Sequence, residues 1–563
     1  MGSTTTEPSS QGKADETLAT SSGLESPGEE EKPQPKSLRF KLTVFFLCAV
    51  TVVGAMDAVI VAACLQAIAE DLKSTSVESF WVGTSFLLAQ TVAIPIYGTT
   101  SEIFGRKWPI LIAVSIFTFG SILCATAKTV TWLIGARVVQ GLGAGGMIQL
   151  VQVILSDIST MSERGLYMAF AALAWSLGTN IGIPIGGAIG TYTSWRWVFW
   201  INLPICIPSI VGLIFCLHLH QDTSSFVKKL GMVDWLGLSA ITSASTLFLV
   251  GLTSGGVSHP WSSAKVLAPL VVGAFLYVVY IYIEWRVAAR PMMPLRIFND
   301  RSAITGFSTS FLQGLIVWCY TYYFILFFLG AMQHSLLHSA LESMTTLAYS
   351  APAGLVASII VKRTQKFKLL ISIGWALLAA GVGSNVTMHP DSSKAILYAP
   401  RCLASIGAGI LFPMPLFAVQ ARQRGEDIGI ATSVQVFARS LGTAFGVGLG
   451  GVIFQNEWTR IVSRNVRENR IPASLAIPGS HAEIAYEIIE AFPEPIQEAY
   501  RWVFSDSLKT IWWVLMGLSI GGFLVSLTAR NDTVAGGLSG SQNFQDKTAI
   551  GLEDGRIQNK GSQ

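Results

Sequence analysis

Long apolar runs restrict the fold of this chain more than any other feature. About fourteen of them follow one another, each roughly 18–25 residues long, which is the length that an α-helix needs to cross a bilayer. Only 13% of the residues are charged, compared with about 25% in a soluble domain. The sequence therefore predicts an all-α polytopic membrane protein, with spans at about 42–68, 80–100, 109–127, 130–155, 166–190, 196–217, 234–252, 265–284, 303–330, 338–361, 368–388, 394–418, 427–455 and 508–529.

The polar ends and loops of the chain predict its orientation. Residues 1–38 have almost no apolar content and are expected to be a disordered tail, and residues 530–563 are expected to be a second one. An even number of spans puts both tails on one side, and that side carries most of the Lys and Arg of the short loops. Because such residues stay in the cytoplasm, we expect cytoplasmic tails. The hydrophilic segment 456–507, with a short surface helix, is expected on the opposite side.

Two motifs recur in the chain at one fixed distance. The run R-V-V-Q-G-L-G-A-G-G from Arg137 returns as R-C-L-A-S-I-G-A-G-I from Arg401, and S-L-G-T-N-I-G from Ser176 returns as S-L-G-T-A-F-G from Ser440. Both pairs are 264 residues apart, a step of eight spans. An internal duplication of six helices with an inserted pair explains this step. The predicted domains are an N-terminal half, an inserted helix pair with linkers, and a C-terminal half, at 39–218, 219–302 and 303–529.

Several motifs have counterparts in one protein family. The loop after the second span reads G-T-T-S-E-I-F-G-R-K at 98–107, near the family pattern G-x-L-x-D-R-x-G-R-K. The arginine run at 137–146, G-x-x-x-G-I-P-I-G-G at 178–187, M-D-A-V-I-V at 56–61 and S-W-R-W-V-F-W-I-N-L-P at 194–204 complete the set. With them the chain resembles the major facilitator superfamily, in its fourteen-span drug:proton antiporter branch as found in fungi. The resemblance covers about 40–530.

The resemblance implies a conformational latch around the loop after the second span. In the family this loop stabilises the outward-open state. Glu102 is expected at a helix end that faces the other half, and Arg106 is expected to pair with Asp157. A loop that only determines topology through its basic residues is the alternative. The residues that would form the latch are Gly98, Glu102, Gly105, Arg106, Lys107 and, at the end of the fourth span, Asp157.

Asp57 and Arg137 are the candidate residues for proton coupling. Asp57 is the only acid well inside the first span. Burial favours the neutral form of a carboxylic acid, which suits a group that binds and releases a proton. The resemblance gives Arg137 a role in proton transfer. The alternatives are a hydrogen-bonded structural acid at 57 and an arginine at 137 that extends to the membrane interface.

A glycine stripe in the fifth span is the third family feature. Gly178, Gly182 and Gly186 are spaced at four residues, so another helix backbone can approach closely. Together with Pro184 and Gly187 they resemble the motif that the family associates with antiporters, although the proline lies one residue late. Ordinary helix packing is the alternative.

Neutral polar and aromatic residues inside the spans predict an amphipathic, mostly apolar cavity. Such a cavity suits drugs or secondary metabolites better than sugars or phosphate esters. Aromatic residues in spans also serve packing, which is the alternative for them. The cavity candidates are Gln149, Gln152, Asn180, Gln313, Trp318, Gln435 and Arg439.

Several function classes are excluded by what the sequence lacks. The net charge of +4 is too small to indicate a nucleic-acid partner. The histidines and cysteines form no ligand cluster, so no metal or other cofactor is expected. No phosphate-binding G-x-x-x-x-G-K-[ST] motif occurs, so an ion gradient rather than ATP should supply the energy.

The sequence thus predicts a proton-coupled exporter of amphipathic small molecules, and not an enzyme. It is expected to be a monomer in the plasma membrane, with the vacuolar membrane as the alternative. A same-fold importer or vacuolar carrier of siderophores or basic amino acids stays open, as does, more distantly, a non-transporting nutrient sensor. Two glycosylation sequons occur, at Asn385 on the outer side and at Asn531 on the cytoplasmic side. Only Asn385 is therefore a candidate for glycosylation.

Overall fold

The computed structural model describes residues 37–74, 76–159, 161–219, 226–255, 259–288 and 291–530. Nearly all of the two predicted tails, and the sequon at Asn531, lie outside the described residues. The described part is built from helices, and fourteen of them are long helices at the positions of the predicted spans.

The long helices follow the predicted order of two halves and an inserted pair. The first six are α1 Leu38–Ile60, α2 Ser76–Phe104, α3 Lys107–Ala125, α4 Val130–Ile158, α5 Met161–Tyr192 and α6 Leu203–Cys216. The next two are α7 Trp235–Ser254 and α8 Ala264–Arg286. The last six are α9 Arg301–Gly330, α10 Ser350–Thr364, α11 Lys368–Ser384, α12 Lys394–Leu411, α13 Ile428–Arg467 and α14 Glu494–Leu527.

Short helical segments extend or connect these helices. Single turns and short α-helices lie at Leu65–Leu72, Trp197–Trp200, Phe226–Leu230, Leu336–Ser343, Thr345–Ala348, Met414–Gln420 and Ala485–Ile489. Short 3-10 segments lie at Val61–Cys64, Leu295–Phe298, Asn385–Thr387, Gly425–Asp427, Ala473–Leu475 and Gly479–Ile484.

Length and composition qualify most of these helices as membrane spans. In the described ranges, thirteen helical stretches are long and apolar enough to cross a membrane. The helix α2, with 29 residues, is not among the thirteen. The predicted all-α, polytopic class is confirmed.

Helix starts are determined locally by side chains that cap free backbone N–H groups. Thr129 accepts a hydrogen bond from the backbone N–H of Trp132 at 3.2 Å, where α4 begins. Asp234 accepts from Gly237 at 2.9 Å at the start of α7, and Asp300 accepts from Ser302 at 3.0 Å at the start of α9. Ser, Thr, Asp and Asn at these positions satisfy N–H groups that have no partner within the helix.

The same packing pattern occurs in both halves. In the N-terminal half, α4 packs against α2 and α3, and α5 packs against α1. In the C-terminal half, α12 packs against α10 and α11, and α13 packs against α9. The repeated motifs lie on α4 and α12 and on α5 and α13, so the step of eight helices seen in the sequence is also the step of the packing.

Both described chain ends lie at one end of the bundle, which we call the terminal end. An even number of long helices returns the chain to the side on which it began, and α14 closes there onto the start of α9. Thr528 hydrogen-bonds to Thr305 at 2.9 Å, and the backbone N–H of Arg530 donates to Ser302 at 3.1 Å. We call the opposite end the cap end.

The segment between α13 and α14, residues 468–493, forms a packed cap rather than a surface loop with one surface helix. The helix α13 extends to Arg467 and α14 already begins at Glu494, so much of 456–507 belongs to the two long helices. Trp458 donates from Nε1 to the Ile477 carbonyl at 3.1 Å, and Tyr500 donates to the Leu475 carbonyl at 2.8 Å. The segment is packed because its apolar residues bury their side chains against the bundle. They include Ile477, Ala482, Ala485 and Ile489.

Candidate functional site

The Asp57 and Arg137 side chains meet inside the N-terminal half and are both almost fully buried. Arg137 donates from Nη1 to a carboxylate oxygen of Asp57 and from Nε to the Val82 carbonyl at 3.2 Å. Its guanidinium also lies over the Phe86 ring, 4.1 Å from the centroid. Arg137 therefore does not extend to the membrane interface. It forms a buried ion pair with the acid of α1.

Two further polar residues complete this site, and sequence reasoning did not select them. Gln140 donates to Asp57 Oδ1 at 2.9 Å and accepts from Arg137 at 2.7 Å. Asn202 donates to the same Asp57 oxygen at 2.8 Å. A signal for Gln140 was its spacing of three residues from Arg137, which places both on one helix face. Asn202 lies in the I-N-L-P part of a motif that was noted only for its resemblance.

The repeat of Arg137 in the C-terminal half has a different environment. Arg401 is buried, donates to the Glu342 carbonyl at 2.8 Å, and has its Nη2 3.9 Å from the Glu342 carboxylate. Its guanidinium lies 4.4 Å from the ring centroid of Tyr398. The two halves therefore share the arginine but do not share an aspartate opposite it.

A second charge cluster lies at the terminal end of the N-terminal half. Arg106 donates to Asp157 at 2.9 Å, to Ser101 at 3.0 Å and to Glu102 at 2.5 Å. Arg106 and Asp157 are buried. Gly105 has φ of 84°, a left-handed conformation that glycine adopts without strain, so the chain turns here from α2 into α3. The cluster joins the start of α3 to the end of α4.

This cluster faces the other half of the molecule. A Cβ atom at Gly429, near the start of α13, would overlap the Glu102 carboxylate and the Arg106 guanidinium. A Cβ atom at Gly98 would lie 3.2 Å from the Cβ of Ser433. Nearby, Arg164 donates to Gln420 Oε1 at 2.7 Å. The two halves are thus in contact at the terminal end.

The remaining residue of the predicted latch lies elsewhere. The Lys107 ammonium donates to the Ile214 carbonyl at the end of α6, at 2.7 Å. This hydrogen bond satisfies a carbonyl at a helix C-terminus, and a cation is favourable there. Lys107 therefore contacts α6 of its own half, whereas Glu102 contacts the opposite half.

The glycines of α5 lie against α1, the helix that carries Asp57. A Cβ atom at Gly178 would overlap the Val52 carbonyl oxygen, and one at Gly182 would lie 3.0 Å from the Met56 carbonyl oxygen. The Gly186 carbonyl accepts from the Cys64 thiol, and Pro184 lies within α5, which continues to Tyr192. The related glycines of α13 contact α9 in the same way, at Phe311 and Leu315. The next residue of the predicted stripe, Gly187, accepts from the Thr191 hydroxyl at 2.7 Å.

A large cavity lies between the two halves, on the cap side of the closed contacts. Its volume is about 2080 Å³ when the open space at its mouth is included. The walls come from α1, α2, α4 and α5 on one side and from α9, α12 and α13 on the other, with the end of α7 beside them. Five of the predicted cavity residues lie on this wall: Gln152, Asn180, Gln313, Trp318 and Arg439.

Two of the predicted cavity residues do not line this cavity. Gln435 is buried and donates to the Ser310 hydroxyl at 2.9 Å, which ties α13 to α9. Gln149 is buried near the Gly98 contact between the halves, on the terminal side of the cavity. Both residues lie on helices that border the cavity, but their side chains point into helix contacts. The sequence does not distinguish these two directions.

Glu483 of the cap lines the cavity, although it belongs to the hydrophilic segment 456–507 that was predicted to carry a surface helix. It lies in the 3-10 segment Gly479–Ile484 and lines the cavity at its cap end. Its carboxylate accepts from the Tyr323 hydroxyl at 3.0 Å and from the Tyr322 hydroxyl at 3.3 Å. Burial raises the pKa of Glu483, whereas the two tyrosine hydroxyls lower it. Only the fold of the cap brings this acid to the cavity.

The surroundings of Asn385 in the structure do not favour its glycosylation. Its side chain is fully buried, and its amide nitrogen donates to the Tyr320 hydroxyl at 3.1 Å and to the Gly381 carbonyl at 2.8 Å. A glycan on this nitrogen would disrupt both hydrogen bonds. The sequon arises because Asn385, which donates to carbonyl groups at the end of α11, lies two residues before Thr387.

Together, the two helical halves and the cavity between them define a transporter-like membrane protein. The model of the Major Facilitator Superfamily matches residues 45–455. Among relatives, the MFS transporter L2 of Phoma sp. is 33% identical over 512 residues, 90% of this chain and 85% of that protein. The MFS efflux transporter aclA of Aspergillus oryzae is 30% identical over 544 residues, 95% of this chain and 98% of that protein.

Solved structures show the same fold. The proton:xylose symporter XylE superposes with a TM-score of 0.52 at 14% sequence identity, covering 84% of this chain and 99% of that one. The human organic anion transporter MFSD10 gives 0.52 at 15% identity, covering 87% of this chain and all of that one, 100%. The chain belongs to the Major Facilitator Superfamily and is a multi-pass membrane protein.

Proposed function

We propose that this protein is a proton-coupled exporter of amphipathic small molecules. The observation that carries the proposal is the cavity between the halves, which the Arg106 cluster and its neighbours close at the terminal end. Its wall is mostly apolar, with neutral polar groups such as Gln152, Asn180 and Gln313. Such a wall favours drugs, toxins or secondary metabolites over strongly polar solutes. Efflux relatives such as aclA support export.

Asp57 is the proposed proton-binding group. It is the acid of the buried Asp57–Arg137 pair, and its neighbours on α1, Ala58 and Val59, line the cavity. A protonation change at Asp57 is therefore close to the cargo without being in direct contact with it. We further propose that the terminal end faces the cytoplasm, that the protein lies in the plasma membrane, and that a single chain is the transporting unit.

Transport into inside-out vesicles tests this function. Inside-out vesicles with and without the protein are prepared with an acidic lumen. Three pyrene probes are then added outside in separate experiments: pyrenebutanoic acid, its methyl ester and pyrenemethylamine. We expect at least one probe to accumulate only in vesicles with the protein, and a proton ionophore to abolish the accumulation. Accumulation that survives collapse of the pH gradient would disprove proton coupling, and no accumulation of any probe would contradict export of amphipathic molecules.

A further inference from the structure

Arg439 occupies the wall of the cavity near the middle of the bundle. Its Nη2 donates to the Phe412 carbonyl at 2.8 Å, and its guanidinium lies 4.3 Å from the centroid of the Phe412 ring. The Nε and Nη1 atoms are buried and have no hydrogen-bond partner in the described part of the chain. An arginine has five N–H donors, so most of the donors of Arg439 are unused.

Two buried arginines of the N-terminal half provide the contrast. Arg106 pairs with Asp157 and Glu102, and Arg137 pairs with Asp57. Arg439 has no acid within ion-pair distance in the described ranges. Because a guanidinium with unused N–H donors forms its strongest hydrogen bonds to an anionic acceptor, the position of Arg439 is suited to a negatively charged partner that the described chain does not provide.

The acid of the cap is too far away to serve as this partner. Among the described residues that line the cavity, Arg439 is the only basic residue and Glu483 is the only acidic one. The Glu483 carboxylate lies near Gly451, 3.4 Å from the position of a Cβ atom there. Gly451 follows Arg439 by twelve residues on α13, and a rise of about 1.5 Å per residue places the two about 18 Å apart along the helix.

The surroundings of Arg439 indicate what else the negatively charged partner carries. Phe412, Val436 and Trp318 provide apolar surface on the same cavity wall. A carboxylate matches the planar fork of a guanidinium through two parallel hydrogen bonds, and an apolar body attached to it would contact the wall. We propose that Arg439 binds the carboxylate of an amphipathic organic acid, which makes such acids the cargo class. This inference rests on the proposed function, since it takes the cavity as the transport path.

Equilibrium binding to the purified protein tests the inference without a proton gradient. Pyrenebutanoic acid and its methyl ester differ in one charge, and energy transfer from the cavity residues Trp175 and Trp318 to pyrene reports their binding. We expect the wild type to bind the acid about tenfold to a hundredfold more tightly than the ester, as charge-assisted hydrogen bonds would provide. Arg439→Gln should remove this preference and leave ester binding unchanged. Arg439→Lys should retain part of it.

Arg286→Gln is the matched control, because Arg286 lies over the Trp285 ring at the end of α8 and does not line the cavity. It should bind both probes as the wild type does. Equal affinity of the wild type for acid and ester, or unchanged acid binding in a folded Arg439→Gln protein, would overturn the inference. If Arg439→Gln does not fold, the preference for the acid over the ester, measured in the wild type and in Arg439→Lys, still tests the inference.

The two proposals fail separately. Preference for the acid at equilibrium, without transport that depends on a proton gradient, supports the carboxylate site and contradicts the exporter. Gradient-driven transport of the ester or the amine, with no preference for the acid in binding, contradicts the carboxylate site alone.

Discussion

At the scale of single residues, Asp57 accepts hydrogen bonds from three side chains of the N-terminal half. Its carboxylate accepts from Arg137 on α4, from Gln140 on the same helix and from Asn202 before α6. A proton on Asp57 would replace an acceptor with a donor and weaken the pair with Arg137. Protonation is therefore coupled to the contacts among three helices, which is a physical route from proton binding to a conformational change.

Asp57→Asn tests this coupling. The variant leaves the Arg137 charge buried without its counterion, an effect of about 3–5 kcal/mol in other buried pairs, so we expect less folded protein. Protein that does fold should still bind the pyrene probes but show no pH-driven transport in vesicles. The double variant Asp57→Asn with Arg137→Gln should recover the amount of folded protein without recovering the coupling. Full pH-driven transport by either variant would place the proton site at another residue.

At the scale of elements, the glycines of α5 determine where α1 lies. Gly178 and Gly182 allow the α1 backbone at Val52 and Met56 to approach so closely that no side chain fits between the helices. Since Asp57 follows Met56 directly, this packing also positions the acid against Arg137. The stripe is therefore a packing surface in this structure, and its effect on the direction of transport would act through the position of α1.

Gly178→Ala should separate α1 from α5, because the added methyl group overlaps a backbone carbonyl that cannot rotate away. Overpacking of this kind typically costs about 1–3 kcal/mol. We expect a lower midpoint of thermal unfolding for the purified protein and weaker proton coupling in vesicles. Gly135→Ala on α4 is the control, since a Cβ atom there meets nothing within 4 Å. An unchanged midpoint for Gly178→Ala would show that the helices adjust without cost.

At the scale of the whole molecule, the cavity is closed at the terminal end and bordered by the cap at the other. Contacts between the halves at Gly98, Arg164 and Gly429 exclude the cavity from the terminal side. At the cap end, Glu483 joins the cap to α9 through Tyr322 and Tyr323. If the terminal end faces the cytoplasm, as we propose, this arrangement corresponds to a state that is closed towards the cytoplasm.

Labelling of single cysteines tests the orientation. Thr387, after α11, and Thr364, at the end of α10, are both exposed and lie at opposite ends of the bundle. In intact cells, a membrane-impermeant maleimide should label Thr387→Cys and should not label Thr364→Cys until the membrane is permeabilised. The unsubstituted protein is the control for its seven native cysteines. The reverse labelling pattern would place the terminal end outside the cell.

The order and type of the elements were predictable from the sequence alone. Apolar runs of sufficient length form helices in a membrane because every backbone N–H and C=O must find a partner within the segment. The repeat of the Arg137 and Ser176 motifs predicted which helices correspond, since helices with similar sequences bury corresponding faces. Asp57 and Arg137 were also selected from the sequence as charged residues inside spans, and Arg106 and Asp157 as members of the latch. The pairing of Asp57 with Arg137 was not predicted.

Tertiary structure alone decided which side chains reach the cavity. Gln149 and Gln435 point into helix contacts while Gln152 and Gln313 line the wall, because the rotation of each helix depends on all of its neighbours. The burial of Asn385 and the approach of Glu483 to Tyr323 likewise depend on how α11 and the cap pack, over separations that local sequence patterns do not encode. The sequence determines helices and their lengths through local hydrogen bonding and hydrophobicity, whereas the site depends on contacts between distant segments.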